Sequence, residues 1–208
     1  MGKYYAVKSG RKTGIFETWD ECQLQVKGYP GAKFKSFPTY DEALAYIEDV
    51  DLVMRNDIKP RLKMGKLVAF TDGSYDDKKN MYGAGTLIFV PGDSTEPFNI
   101  YGAGNTEEFL PSKNVAGEIM AVINAIDYAV NNNYAEISIF HDCEGISKWA
   151  TGEWSTNKSC SIYYQEYISK MSSEINIEFI KVEGHSNNKY NDMADRLAKT
   201  AIRQSNKL

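Results

Sequence analysis

The chain has too few cysteines for a covalent framework. Its three, Cys22, Cys143 and Cys160, are odd in number and widely spaced. They form neither a disulfide scaffold nor a CxxC metal motif, and read as buried or incidental thiols. Long apolar runs are missing too: none approaches the roughly 20 residues a membrane helix requires. The opening stretch MGKYYAVKSGRKTG holds no apolar segment of the kind a secretory signal needs. Gly2 opens no myristoylation pattern, because Val7 lies where a small hydroxyl residue is wanted. The expectation is a cytoplasmic protein that engages no membrane. Internal repeats are absent as well.

Positive charge is also short, with a net charge of −4 over 208 residues. Taken alone, that total argues against a nucleic-acid partner. Its distribution argues otherwise. Residues 1–40 hold seven Lys/Arg and three Asp/Glu, whereas residues 67–208 hold twelve and nineteen. A basic front suits a polyanion, and an acidic rear suits cations.

What is present falls into three stretches. Tyr4–Lys8 alternates like a strand, a turn follows over Ser9–Gly14, and Ile15-Phe16 resumes a strand. Thr18 with Glu21, and Thr39 with Glu42, have capping-box spacing and predict helices to about Val26 and Ile47. Ala32–Phe37 reads as a third strand between them. Residues 1–48 thus form a small α+β domain with three strands. Residues 49–65 are polar, contain Pro60 and Gly65, show no sustained period and read as a linker.

Residues 66–208 change in pattern. Strands are expected at Leu67–Asp72, Met81–Val90, Phe98–Thr106, Ile137–Phe140 and Ile175–Val182. Helices are expected at Val115–Val130, from Asp142 to Trp149, at Ile162–Met171 and at Tyr190–Gln204. This order implies an α/β domain, one mixed five-stranded sheet flanked by helices.

Four acids lie where a metal site would want them. Asp72 and Asp142 each follow a compact apolar strand, Glu118 lies near the start of an apolar helix, and Asp195 lies on the last helix. Mg2+ takes hard oxygen ligands and works beside phosphate. Paired ions can stabilise the attacking and leaving oxygens of a phosphodiester. Single acids at such places are usually caps or dipole partners. The four together, in this order, are harder to dismiss.

Thr71-Asp72-Gly73-Ser74, Asn114-Val115-Ala116-Gly117-Glu118, His141-Asp142, Gly184-His185-Ser186 and Ala194-Asp195-Arg196-Leu197-Ala198 resemble the type 1 ribonuclease H family in order and spacing. The resemblance covers about residues 66–203. It implies an endonuclease that cuts the RNA strand of RNA–DNA hybrids by a two-metal-ion mechanism, leaving 3′-hydroxyl and 5′-phosphate ends. It implies two Mg2+ or Mn2+ ions held by Asp72, Glu118, Asp142 and Asp195, with Asp192 as a decoy. His185 would assist product release or proton transfer. Asn114 and Ser74 would face the hybrid's minor groove, where 2′-hydroxyls distinguish RNA from DNA.

The chain departs from the family at several positions. Glu144 stands where many members have Gln, and Lys113 where Thr often binds a DNA phosphate. The stretch from Trp149 to Tyr164 lacks the basic handle of some members. His141 reads as structural.

Tyr5-Ala6-Val7, Gly10-Arg11-Lys12-Thr13-Gly14, Thr18-Trp19-Asp20-Glu21-Cys22 and Phe34-Lys35-Ser36-Phe37 resemble the hybrid-binding, viroplasmin-like domain that precedes many such nucleases. By that resemblance Tyr5, Trp19 and Phe34 would contact the DNA strand. Lys35 would help bind phosphate or the RNA groove, and Ser36 replaces a second Lys. No protein partner is indicated. The rival readings are a catalytically idle hybrid-binding scaffold and a strand-transfer enzyme of related fold.

Overall fold

The computed structural model describes residues 3–49, 51–92, 96–183 and 188–205. The chain divides between Asp57 and Ile58 into two compact units. The first contains β1 (Tyr4–Ser9), β2 (Gly14–Phe16), α1 (Trp19–Val26), β3 (Lys33–Phe37) and α2 (Tyr40–Glu48). Its sheet runs β2-β1-β3, with both pairs antiparallel.

Both helices open with reciprocal caps. Thr18 Oγ1 accepts from the Glu21 N–H at 3.3 Å while Glu21 Oε2 accepts from the Thr18 N–H at 3.3 Å. Thr39 and Glu42 repeat the pair at 3.3 and 3.2 Å. Each satisfies two otherwise orphaned donors, and such an N-cap contributes about 1 kcal/mol. The pleat sends alternate β1 side chains to opposite faces. Val7 packs with Cys22 and Val26 of α1. On the other face Tyr4 meets Tyr40 of α2, and Phe37 meets Tyr46, with ring centroids 5.8 and 5.4 Å apart.

Within the stretch expected as a linker, residues 54–63 are helical. A π-helical turn spans Met54–Ile58, and α3 (Lys59–Lys63) follows. Met54, Ile58 and Leu62 are buried. They are four residues apart, a helical stripe diluted by the charged residues between them. Pro60 sits in the first turn of α3, where a missing N–H costs nothing.

The second unit continues with β4 (Leu67–Asp76), β5 (Met81–Phe89), β6 (Phe98–Gly104), α4 (Asn114–Asn131), β7 (Glu136–His141), α5 (Glu144–Ala150), α6 (Ser159–Met171), β8 (Asn176–Lys181) and α7 (Lys189–Gln204). The sheet order is β6-β5-β4-β7-β8. Strands β6, β5 and β4 are antiparallel neighbours, whereas β4, β7 and β8 are parallel. Leu67, Ala69, Ile88, Ile137 and Ile139 belong to one core with Ile119, Val122 and Ile126 of α4. The opposite face carries Phe70, stacked on Phe140 at 4.6 Å and 5.3 Å from Tyr190 of α7. Helices α4 and α7 therefore sandwich the central strands.

Two glycines set how closely the helices approach. A Cβ on Gly73 would lie 2.2 Å from the Glu118 nitrogen, and one on Gly85 would lie 2.1 Å from the Ala194 carbonyl oxygen. Only a hydrogen fits at either place. Strand β4 also runs past its expected end at Asp72. Its polar half pairs onward with β5, Asp72 opposite Gly85 and Ser74 opposite Gly83. Asp72 is therefore a mid-strand residue, with paired residues of the β5 ladder before and after it.

Candidate active site

Parallel pairing creates the site. Phe70 of β4 is in register with Phe140 of β7, so the chain two residues on brings Asp72 and Asp142 side by side. Glu118 arrives from α4, whose backbone rides on Gly73. Carboxylate oxygens of Asp72, Glu118 and Asp142 lie within 4.8 Å of one another. Asp195, on α7, lines the same pocket of about 450 Å3. Asp72 of β4, Glu118 of α4, Asp142 just after β7 and Asp195 of α7 thus line one pocket, with Asp195 Oδ2 accepting from Lys199 Nζ at 2.8 Å.

The cluster is electrostatically uneasy. Asp72 and Glu118 are 7% and 3% exposed. Burial first, and then the charge of Asp142, push the Asp72 carboxyl up to about 7. Burial and the neighbouring Asp72 and Asp142 charges likewise raise Glu118. The Gly73 N–H donates to Asp72 Oδ1 at 2.7 Å, whereas Glu118 Oε2 is buried with no hydrogen-bond partner. An orphaned, hard oxygen among crowded carboxylates fits a divalent cation, which supplies the missing partner and opposes the repulsion. The donor set contains only oxygens, as Mg2+ and Mn2+ prefer.

The other predicted residues divide. Ser74, Lys113 and Asn114 line the same pocket. Lys113 Nζ is 2.8 Å from Asp77, and its backbone holds φ +51° just before α4. A non-glycine residue in that conformation is strained, by on the order of 1–3 kcal/mol. Glu144 is paired along its own helix with Lys148 at 2.7 Å. Asp192 is exposed, and its carbonyl accepts from Arg196 Nε at 3.2 Å. His185 lies outside the described residues. His141 is fully buried beneath the site, with Nδ1 2.9 Å from the Cys143 carbonyl oxygen.

One residue escaped the sequence reading. Asn191, 4% exposed, donates from Nδ2 to Asp142 Oδ2 at 3.1 Å. The signal was its position four residues before Asp195, one turn away on the same face of a helix.

In the first unit, Trp19 stands 5.7 Å from the Tyr5 ring and 5.8 Å from the Phe34 ring. Trp19 and Phe34 remain 41% and 42% exposed. Three flat faces on one surface suit bases and sugars. Lys35 follows Phe34 on β3, so it leaves on the opposite face, where Nζ is 5.5 Å from the Phe37 ring. The structure brings the three aromatics together and sends Lys35 elsewhere.

A mixed sheet whose parallel strands deliver converging carboxylates defines a nuclease class. Residues 64–203, about two thirds of the chain, match the ribonuclease H family model, and the chain belongs to that family. Residues 3–47 match the model of the ribonuclease H1 N-terminal domain. Human Ribonuclease H1 is 27% identical over 270 aligned residues, covering 99% of this chain and 91% of that one. The Saccharomyces cerevisiae Ribonuclease H is 50% identical over 47 residues, 23% of this chain and 14% of its own. Among solved structures, the N-terminal ribonuclease H domain of Rv2228c from Mycobacterium tuberculosis shares the fold at TM-score 0.56 and 20% identity, over 68% of this chain and 96% of that one. LC11-RNase H1, solved in complex with an RNA/DNA hybrid, does so at TM-score 0.53 and 20% identity, over 67% and 99%.

Proposed function

We propose that the chain hydrolyses the RNA strand of RNA–DNA hybrids endonucleolytically with two divalent ions, Mg2+ or Mn2+, leaving 3′-hydroxyl and 5′-phosphate ends. The convergence of Asp72, Glu118, Asp142 and Asp195 in one pocket carries this reading. Family membership and a human relative named Ribonuclease H1 across almost the whole chain support it. When bound, such ions would neutralise charge developing on the attacking and leaving oxygens.

The chain's own groups divide the remaining work. Asp72, Glu118 and Asp142 hold the cations, and Asp195 extends the cluster from α7. Ser74 and Asn114, beside the acids, have the hydrogen-bonding groups to meet ribose 2′-hydroxyls. Lys113 offers its ammonium to a phosphate, exchanging Asp77 for it. Tyr5, Trp19 and Phe34 give the first unit a platform for bases and sugars.

Labelled hybrid, double-stranded DNA and double-stranded RNA, each with Mg2+ or with EDTA, test the reading. Cleavage confined to the RNA strand of the hybrid and abolished by EDTA is expected. Asp142→Asn should lose about a hundredfold to a thousandfold in rate, on the scale of removing one key charge-stabilising group, while still binding hybrid. Near-normal cleavage by that variant, or equal cleavage of all three duplexes, would count against it.

A further inference from the structure

Asn191 has no role in the site as described, yet it is built into it. Its backbone N–H is anchored by the α7 N-cap, accepted by Asn188 Oδ1 at 3.4 Å. Its side-chain amide is buried and donates to Asp142 Oδ2 at 3.1 Å. That bond fixes which way the amide faces, because the flipped amide would set oxygen against oxygen. The remaining oxygen, Asn191 Oδ1, is buried with no hydrogen-bond partner. A surface or packing asparagine would not leave a buried acceptor unmatched beside a carboxylate cluster.

We propose that Asn191 is a positioning residue for the cation site. Its N–H engages one oxygen of Asp142, which turns the other toward the cluster and keeps that carboxylate from rotating away from its like-charged neighbours. Asp142 lies just beyond the end of β7, outside the ladder that secures Asp72, so its side chain needs this outside support. Asn191 and Asp195 are one turn apart on α7, so a single helical face both orients one acid and contributes another. This inference rests on the metal-site reading above and adds a residue to it.

The test measures Mg2+ affinity of the full chain by calorimetry, alongside the Mg2+ dependence of hybrid cleavage. Asn191→Leu removes the donor at similar volume, and Asn191→Ser is a smaller polar change whose hydroxyl falls short of Asp142. Residues supporting metal ligands typically change affinity about 10–100-fold when replaced. Both variants should weaken Mg2+ binding at least about tenfold and raise the Mg2+ concentration for half-maximal cleavage in parallel. Hybrid affinity in EDTA should stay unchanged. Unchanged Mg2+ affinity in a folded variant, even with a lowered melting temperature, would show a merely structural role and overturn the proposal. Asp142→Asn, run in parallel, separates the two ideas. If it too leaves Mg2+ affinity and cleavage intact, the metal-site reading has failed; if it abolishes both while Asn191 variants bind normally, only the positioning role has.

Discussion

Asp72 shows what the acidic cluster does to the metal-free protein. Its carboxyl ionises near 7 in the fold, against an ordinary value of 3.8. Between those values the folded chain keeps a proton that the unfolded chain has lost. The associated stability is therefore complete below about pH 4 and is lost as pH rises through about 7. Every tenfold difference in proton affinity between the two states corresponds to about 1.4 kcal/mol. Asp72→Asn should thus raise the stability of the metal-free protein at pH 8 by up to about 4 kcal/mol, and leave it nearly unchanged at pH 4. Chemical denaturation in EDTA at both values checks this. Saturating Mg2+ should erase the difference, because the cation compensates the same charge. Asp192, by contrast, is an acid of the same helix as Asp195 that faces solvent. The family resemblance told them apart in the sequence; in the structure the buried Ala194, Ala198 and Ala201 define the packed face and Asp195 flanks it.

Among the elements, α7 is the least forgiving. Ala194, Ala198 and Ala201 on its buried face let its backbone settle onto Gly85 of β5. Gly85→Val would force the helix outward and move Asp195 and Asn191 together. The expected result is a loss of about 1–3 kcal/mol of stability or more from overpacking, and weaker Mg2+ binding in whatever folds. Thermal denaturation and calorimetry read the two effects. Most elements were legible in the sequence: the capping boxes at Thr18 and Thr39 appear as expected, and the apolar periods marked the strands and α4. Two features were not. The extension of β4 beyond Asp72 uses polar residues whose only reason to be extended is pairing with β5, a nonlocal cause. The helical turns of 54–63 were hidden because Met54, Ile58 and Leu62 are separated by charges. The acids themselves were legible as a set through family resemblance. Asn191 was not, because its meaning depends on where Asp142 lies in space.

Across the whole molecule, the charge asymmetry has a consequence for affinity. The front 40 residues carry an excess of four positive charges, and the nuclease stretch an excess of seven negative ones. A tethered second site raises the local concentration of substrate at the first. Trp19→Ala should weaken hybrid binding by about 1–3 kcal/mol, the range for losing one aromatic platform. The Mg2+ concentration for half-maximal cleavage should not move. Fluorescence anisotropy in an Asp142→Asn background, where the hybrid survives, measures the first quantity, and cleavage assays on Trp19→Ala alone measure the second. The same affinity with and without the Trp19 ring would remove the first unit from substrate binding.

The central claim is that Asp72, Glu118, Asp142 and Asp195 form one cation site. Anomalous diffraction from crystals of the full chain soaked in Mn2+ tests it most directly. The account predicts Mn2+ peaks enclosed by those four carboxylates, and their loss from Asp72→Asn crystals soaked identically. Strong Mn2+ peaks elsewhere on the protein with none among the four acids would contradict it.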